Sequence, residues 1–145
     1  MTNVNSSILI ICPIRDIFNY IIYPQNSLKY KSFLREISNI EPAEPGLGQT
    51  FNWRYLLGGI ETKGSAKVTE FVSNKKFVIS TTGDISSIWT YLLEEEPGGV
   101  KVTMTIVYEV KQNPIKKIIN TLILNHYNQE ATDDALENLK AQLEA

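Results

Sequence analysis

A chain of 145 residues with 43 % hydrophobic and 21 % charged residues has the composition of an ordinary folded protein, able to bury roughly 70 % of its unfolded surface. Its net charge of −2 provides no basic field for nucleic acid, and its one cysteine, Cys12, excludes an internal disulfide and fits a reducing cytoplasm. No stretch approaches the ~20 apolar residues of a membrane helix.

The run "ILIICPI" has no basic residue before it and is closed by Arg15 and Asp16, so it does not read as a signal peptide. Val4 to Ile11 form the first predicted strand, rich in β-branched residues. Cys12 follows in an apolar run and reads as a buried, inert thiol. Pro13 suits the first turn of a helix, and Ile14, Ile17, Phe18, Ile21 and Ile22 continue at helical spacing until Pro24. A second short helix is expected near Gln25 to Lys31, then a strand from Phe33 to Ile40 leading into "EPAEPGLG".

Five further strands follow, "QTFNWRYLL", "IETKGSAKVTEF", "KFVISTT", "SIWTYLLEEE" and "VKVTMTIVYEV". Gly58-Gly59, Ser73-Asn74, Gly83-Asp84 and Pro97-Gly98-Gly99 separate them, and loops this short join only antiparallel neighbours. In the last strand Val100, Val102, Met104, Ile106, Tyr108 and Val110 share one face. Asn113 and Pro114 then open a long helix whose apolar stripe runs through Ile115, Ile118, Ile119 and Leu122 and resumes at Leu136, Leu139 and Leu143. That stripe needs the apolar face of the sheet. The expected fold is α+β: a curved antiparallel sheet wrapped around one long C-terminal helix, in a single domain spanning residues 1–145.

Several signatures occur in a telling order. "ICPIRDIFNYIIYPQNSLKY", "EPGLGQTF", "AKVTEFVSNKKFVI", "EEEPGGVKVTMTIVYEV" and "DALENLKAQLE" together resemble the START-like (SRPBCC) superfamily, and in particular its polyketide cyclase/dehydrase-like branch. The similarity covers nearly the whole chain. Departures are Tyr23 where Asp is common, Tyr30 or Lys31 where Trp is common, and Val100 where Thr is common. The resemblance implies the helix-grip fold, a cavity between sheet and helix, and binding of hydrophobic or amphipathic small molecules. It does not imply a reaction, because carriers, sensors and cyclases share the scaffold.

The residues give their own indications of such a cavity. Glu61, Lys63, Ser65, Lys67 and Thr69 form a solvent face, leaving Thr62, Gly64 and Ala66 as a small-residue centre opposite; a bulge at Gly64 is the other reading. Trp53 and Tyr55, with Phe51 and Leu57, and Trp89 and Tyr91, with Leu93, supply rings that serve either as core or as pocket wall. On the long helix, His126 and Gln129 fall in line with Ile115, Ile119 and Leu122, with Asn125 on the stripe's edge. Three readings stay open there: a helix kink capped by Thr132 or Asp133, a satisfied core histidine, or a lining for a ligand's polar end.

Chemistry-bearing groups are few. One His and one Cys cannot assemble a usual zinc site, no phosphate loop is present, and no cofactor is expected. Glu94, Glu95 and Glu96, Lys116 and Lys117, and Arg54 read as solvated surface. The leading function is therefore a carrier or sensor of a lipid, polyketide or isoprenoid-like molecule. The alternatives are a cyclase or dehydratase, with His126, Tyr55, Tyr91 or Glu70 moving a proton, and a protein-interaction role. A homodimer is compatible with all three.

Overall fold

The computed structural model describes residues 2–57, 59–108 and 129–145, and only the backbone of Thr2, Leu57 and Ile60. Strand β1 (Thr2–Ile10) leads into helix α1 (Ile14–Ile21) and a short 3-10 helix over Pro24–Lys29. Six strands follow: β2 (Leu34–Glu41), β3 (Thr50–Leu57), β4 (Ile60–Val72), β5 (Lys76–Gly83), β6 (Ser87–Glu96) and β7 (Gly99–Tyr108). Helix α2 (Gln129–Glu144) closes the described chain. The expected long helix from Ile115 to Leu143 is represented by this segment; Leu122, Asn125 and His126 lie outside the described residues.

All seven strands join one antiparallel sheet in the order β1-β7-β6-β5-β4-β3-β2. Strands β2 to β7 form a meander in which each pairs with the next in sequence, and β1 is added beside β7, which leaves β1 and β2 as the two edges of the sheet. A two-residue turn joins Glu96 to Gly99, where Gly98 has φ +91°. Proline at the first central position and a left-handed residue at the second define a type II turn, which glycine adopts without strain.

Alternation sets the faces. In β7 Val100, Val102, Met104, Ile106 and Tyr108 are buried, and β4 buries Thr62, Ala66 and Val68 while Glu61, Lys63, Ser65 and Lys67 face solvent. The register runs unbroken through Gly64, opposite Gly83, and slips instead between Val68 and Glu70. An extra residue in one strand reverses the side-chain parity beyond it. Glu70 thus turns outward to Lys76 at 3.3 Å, and Phe71 turns inward to meet Phe18 of α1 edge-on at 5.3 Å.

The buried face forms one continuous core that includes Ile17, Phe18 and Ile21 of α1 and Ala135, Leu136 and Leu139 of α2. Around Ala131, Thr132 and Ala135 the helix meets Phe33, Trp89, Met104 and Ile106 with no room for a water molecule. Polar contacts fasten α2 to the end of β1. Lys140 Nζ donates to Leu9 O at 2.9 Å, the Ile11 N–H donates to Glu144 Oε2 at 2.7 Å, and the Ser6 hydroxyl donates to Asp133. The Ile11 N–H, followed by Lys140, holds the Glu144 carboxyl below its usual range. The result is a curved antiparallel sheet with a helix on its buried face, the helix-grip arrangement.

Candidate functional site

The inner face of the sheet is lined with rings from β3 and β6 and capped by the segment after α1. Phe51, Trp53 and Tyr55 come from β3, Ala66 from β4, Ile79 and Thr81 from β5, and Trp89 from β6. Leu34 and Ile37 of β2 complete the apolar wall, while Ser27 and Lys31 enter from the 3-10 helix and the turn after it. Between them lies a cavity of about 20 Å³, room for one water molecule. Wider hollows on the sheet, such as the one bounded by Thr50, Asn52, Ser65, Lys67 and Thr82, are open surface grooves.

The rings are held by their polar atoms as well as by packing. Trp53 stacks on Tyr55 with centroids 4.6 Å apart, and its indole N–H donates to Ser65 O at 2.9 Å. Phe33 meets Tyr55 edge-on at 5.2 Å. The Trp89 indole N–H donates to Ser87 Oγ at 3.0 Å, Ser87 and Thr81 share a hydrogen bond of 2.5 Å, and the Thr81 hydroxyl also reaches Ile85 O. Tyr30 and Tyr91 join through their hydroxyls at 3.0 Å. Burial raises both phenols above their ordinary range, Tyr91 the more, so both are neutral.

Lys31 is the charged-type residue in this wall. It is 5 % exposed, with Nζ 4.0 Å from the centroid of the Trp89 ring and 5.7 Å from those of Tyr30 and Tyr91. Among the described residues no carboxylate pairs with it. A cation over an aromatic face is stabilised, but desolvation outweighs that gain and pushes the ammonium down to about 7.

Of the residues singled out from sequence, Trp53, Tyr55, Ala66 and Trp89 meet at this cavity, and Tyr91 stands beside it through Tyr30 and Lys31. Thr62 is buried opposite Tyr55, its hydroxyl without a partner among the described residues, but it is not part of the lining. Gly64 does not line the cavity either: it pairs with Trp53, and a Cβ there would sit 2.5 Å from Trp53 Cζ2 and overlap the Thr82 carbonyl oxygen. Glu70 points away, turned out by the bulge. Gln129 is exposed at the start of α2, donating to Asp133 Oδ1 at 2.9 Å. Leu122, Asn125 and His126 fall outside the described residues. Sequence reasoning passed over Ser27 and Lys31. The available signal was that Tyr30 or Lys31 stands where Trp is common in the family that the chain resembles.

Comparison with known proteins agrees with the fold. The chain is similar to the crystal structure of TTHA0849 from Thermus thermophilus, with TM-score 0.79 and 16 % identity over 98 % of this chain and 97 % of that one. It is similar to CV1439 from Chromobacterium violaceum, with TM-score 0.72 and 13 % identity over 100 % and 99 % of the two chains. It is also similar to BH1534 from Bacillus halodurans, with TM-score 0.73 and 14 % identity over 99 % and 97 %. A comparison with curated proteins finds no match. Residues 1–144 match the family described as polyketide cyclase / dehydrase and lipid transport, and the chain belongs to that family.

Proposed function

We propose that the protein binds a hydrophobic or amphipathic small molecule between the inner face of the sheet and the C-terminal helix, as a carrier or sensor in a single domain. The observation that carries this reading is the ring-lined cavity bounded by Trp53, Tyr55 and Trp89, with the polar groups of Ser27 and Lys31 at one side. Such a wall combines apolar area with a few placed polar atoms, the usual make-up of a small-molecule site. Affinity then needs no reactive group, since each buried methylene contributes about 0.8 kcal/mol.

The cavity holds one water, whereas drug-sized ligands occupy roughly 300–1,000 Å³. Occupancy therefore requires the rings to move aside, and binding is coupled to rearrangement of Trp53, Tyr55 and Trp89. Native mass spectrometry of the purified protein tests the reading. A non-covalent adduct of an apolar small molecule that is released on unfolding is the expected result. A bare protein mass that stays bare after incubation with fatty acids, isoprenoid alcohols and aromatic polyketides contradicts it.

A further inference from the structure

A lysine buried among rings with no counter-charge among the described residues is costly to keep, because its ammonium loses hydration and gains aromatic faces, that of Trp89 nearest, in return. Packing does not require it: the neighbours among the described residues are apolar or neutral, and a methionine of similar length would fill the same channel. Its backbone is fixed, with Lys31 N donating to Ser27 O at 3.0 Å and Lys31 O accepting from Leu34 N at 3.1 Å. The side chain is therefore delivered to the cavity by the turn after the 3-10 helix. Tyr30 and Tyr91, the titratable groups closest to its amine among the described residues, are uncharged and bonded to one another.

We propose that Lys31 is a covalent capture site for a small aldehyde or ketone, its Nζ adding to the carbonyl carbon inside the cavity to form an imine. The nitrogen lone pair makes the new C–N bond while the carbonyl π pair moves to oxygen. A proton passes from nitrogen to that oxygen to give the carbinolamine. The hydroxyl then leaves as water, with the second nitrogen proton lost, so amine plus carbonyl becomes imine plus water without any oxidant or reductant. Desolvation supports this chemistry by keeping a large share of the amine neutral, and therefore nucleophilic, near neutral pH. A carboxylate is the less suitable guest. It too would be stripped of water, against Phe51, Trp53 and Trp89, and two buried charges are harder to accommodate than a neutral carbonyl.

This inference deepens the proposed binding function by naming a reactive group for the guest, but its test does not depend on a long apolar ligand. The folded protein is treated at pH 7 with limiting formaldehyde, a probe little larger than water, and cyanoborohydride, and methylation is then mapped peptide by peptide. Lys31 is expected to be modified first, at least ~10-fold ahead of the surface lysines, and the preference is expected to narrow steadily as pH rises toward 10.5, where half of an ordinary lysine is neutral. Modification of surface lysines with Lys31 spared overturns the proposal. So does protection of Lys31 by hexanoate but not by hexanol, which would mark a carboxylate site instead. Replacing formaldehyde with hexanal separates the two readings. Trapping of hexanal at Lys31 supports both, whereas formaldehyde without hexanal supports the reactive amine and counts against the apolar-ligand function.

Discussion

Gly64 and Gly83 face each other across β4 and β5, and the ring of Trp53 lies against Gly64. Any side chain at Gly64 meets backbone that cannot step aside, so a substitution there reports on folding rather than on binding. Gly64→Ala is expected to lower stability by roughly 2–3 kcal/mol, the range of an overpacked core, as read by urea denaturation. Loss of less than ~0.5 kcal/mol would show that the strands can part. Ala66, two residues further along β4, does line the cavity and is the place to fill it. Lys31 makes a second prediction. Its ammonium is pushed down to about 7 in the folded protein from an ordinary value of 10.5. Between those values the unfolded chain holds a proton that the folded one does not, so folding stability rises with pH across that window and is lowest below pH 7. Lys31→Met removes the penalty, which at about 1.4 kcal/mol per unit is about 5 kcal/mol at most. The variant should exceed the parent most at pH 6.5 and converge on it by pH 10.5; a gap independent of pH would contradict a buried, depressed amine.

At the scale of elements, short turns and strict alternation made most of the fold legible. "PGG" announced the β6–β7 turn, and its Gly98 has open space where a Cβ would sit, so Gly98→Ala tests backbone strain alone. A loss of about 1 kcal/mol is expected in thermal or urea unfolding. A loss as large as that of Gly64→Ala would mean that the turn carries packing it does not show. The alternation of β7 and the inward rings of β3 and β6 were equally readable. What strict alternation concealed was the bulge after Val68. Counting by twos from Thr62 sends Glu70 inward, whereas the single extra residue sends it out to Lys76 and brings Phe71 in. The spacing of Val68 and Phe71, three apart and both apolar, was the trace of that slip. Helical periodicity likewise placed Gln129 on the apolar stripe, whereas it sits exposed and bonded to Asp133, where the buried positions of α2 begin only at Thr132.

For the molecule as a whole, the sequence pointed to the wall of the cavity but not to its polar corner. Rings announce themselves by alternation; a lysine after a Tyr in "LKYKSF" looks like ordinary surface until the chain folds its turn over the sheet. Among the described residues, no helix is long and apolar enough to cross a membrane. Both tryptophans of the chain line the cavity, so their fluorescence observes it without a label. The measurement that bears most directly on a ligand-holding interior is a titration of that emission with an amphipathic chain such as dodecanol. It is made on the parent, on Trp53→Phe, on Trp89→Phe and on Ala66→Leu. A saturable change carried by both tryptophans, with affinity at least ~10-fold weaker in a stably folded Ala66→Leu, is the expected result. An emission that stays constant, or a change that Ala66→Leu leaves untouched, would place the ligand elsewhere or nowhere.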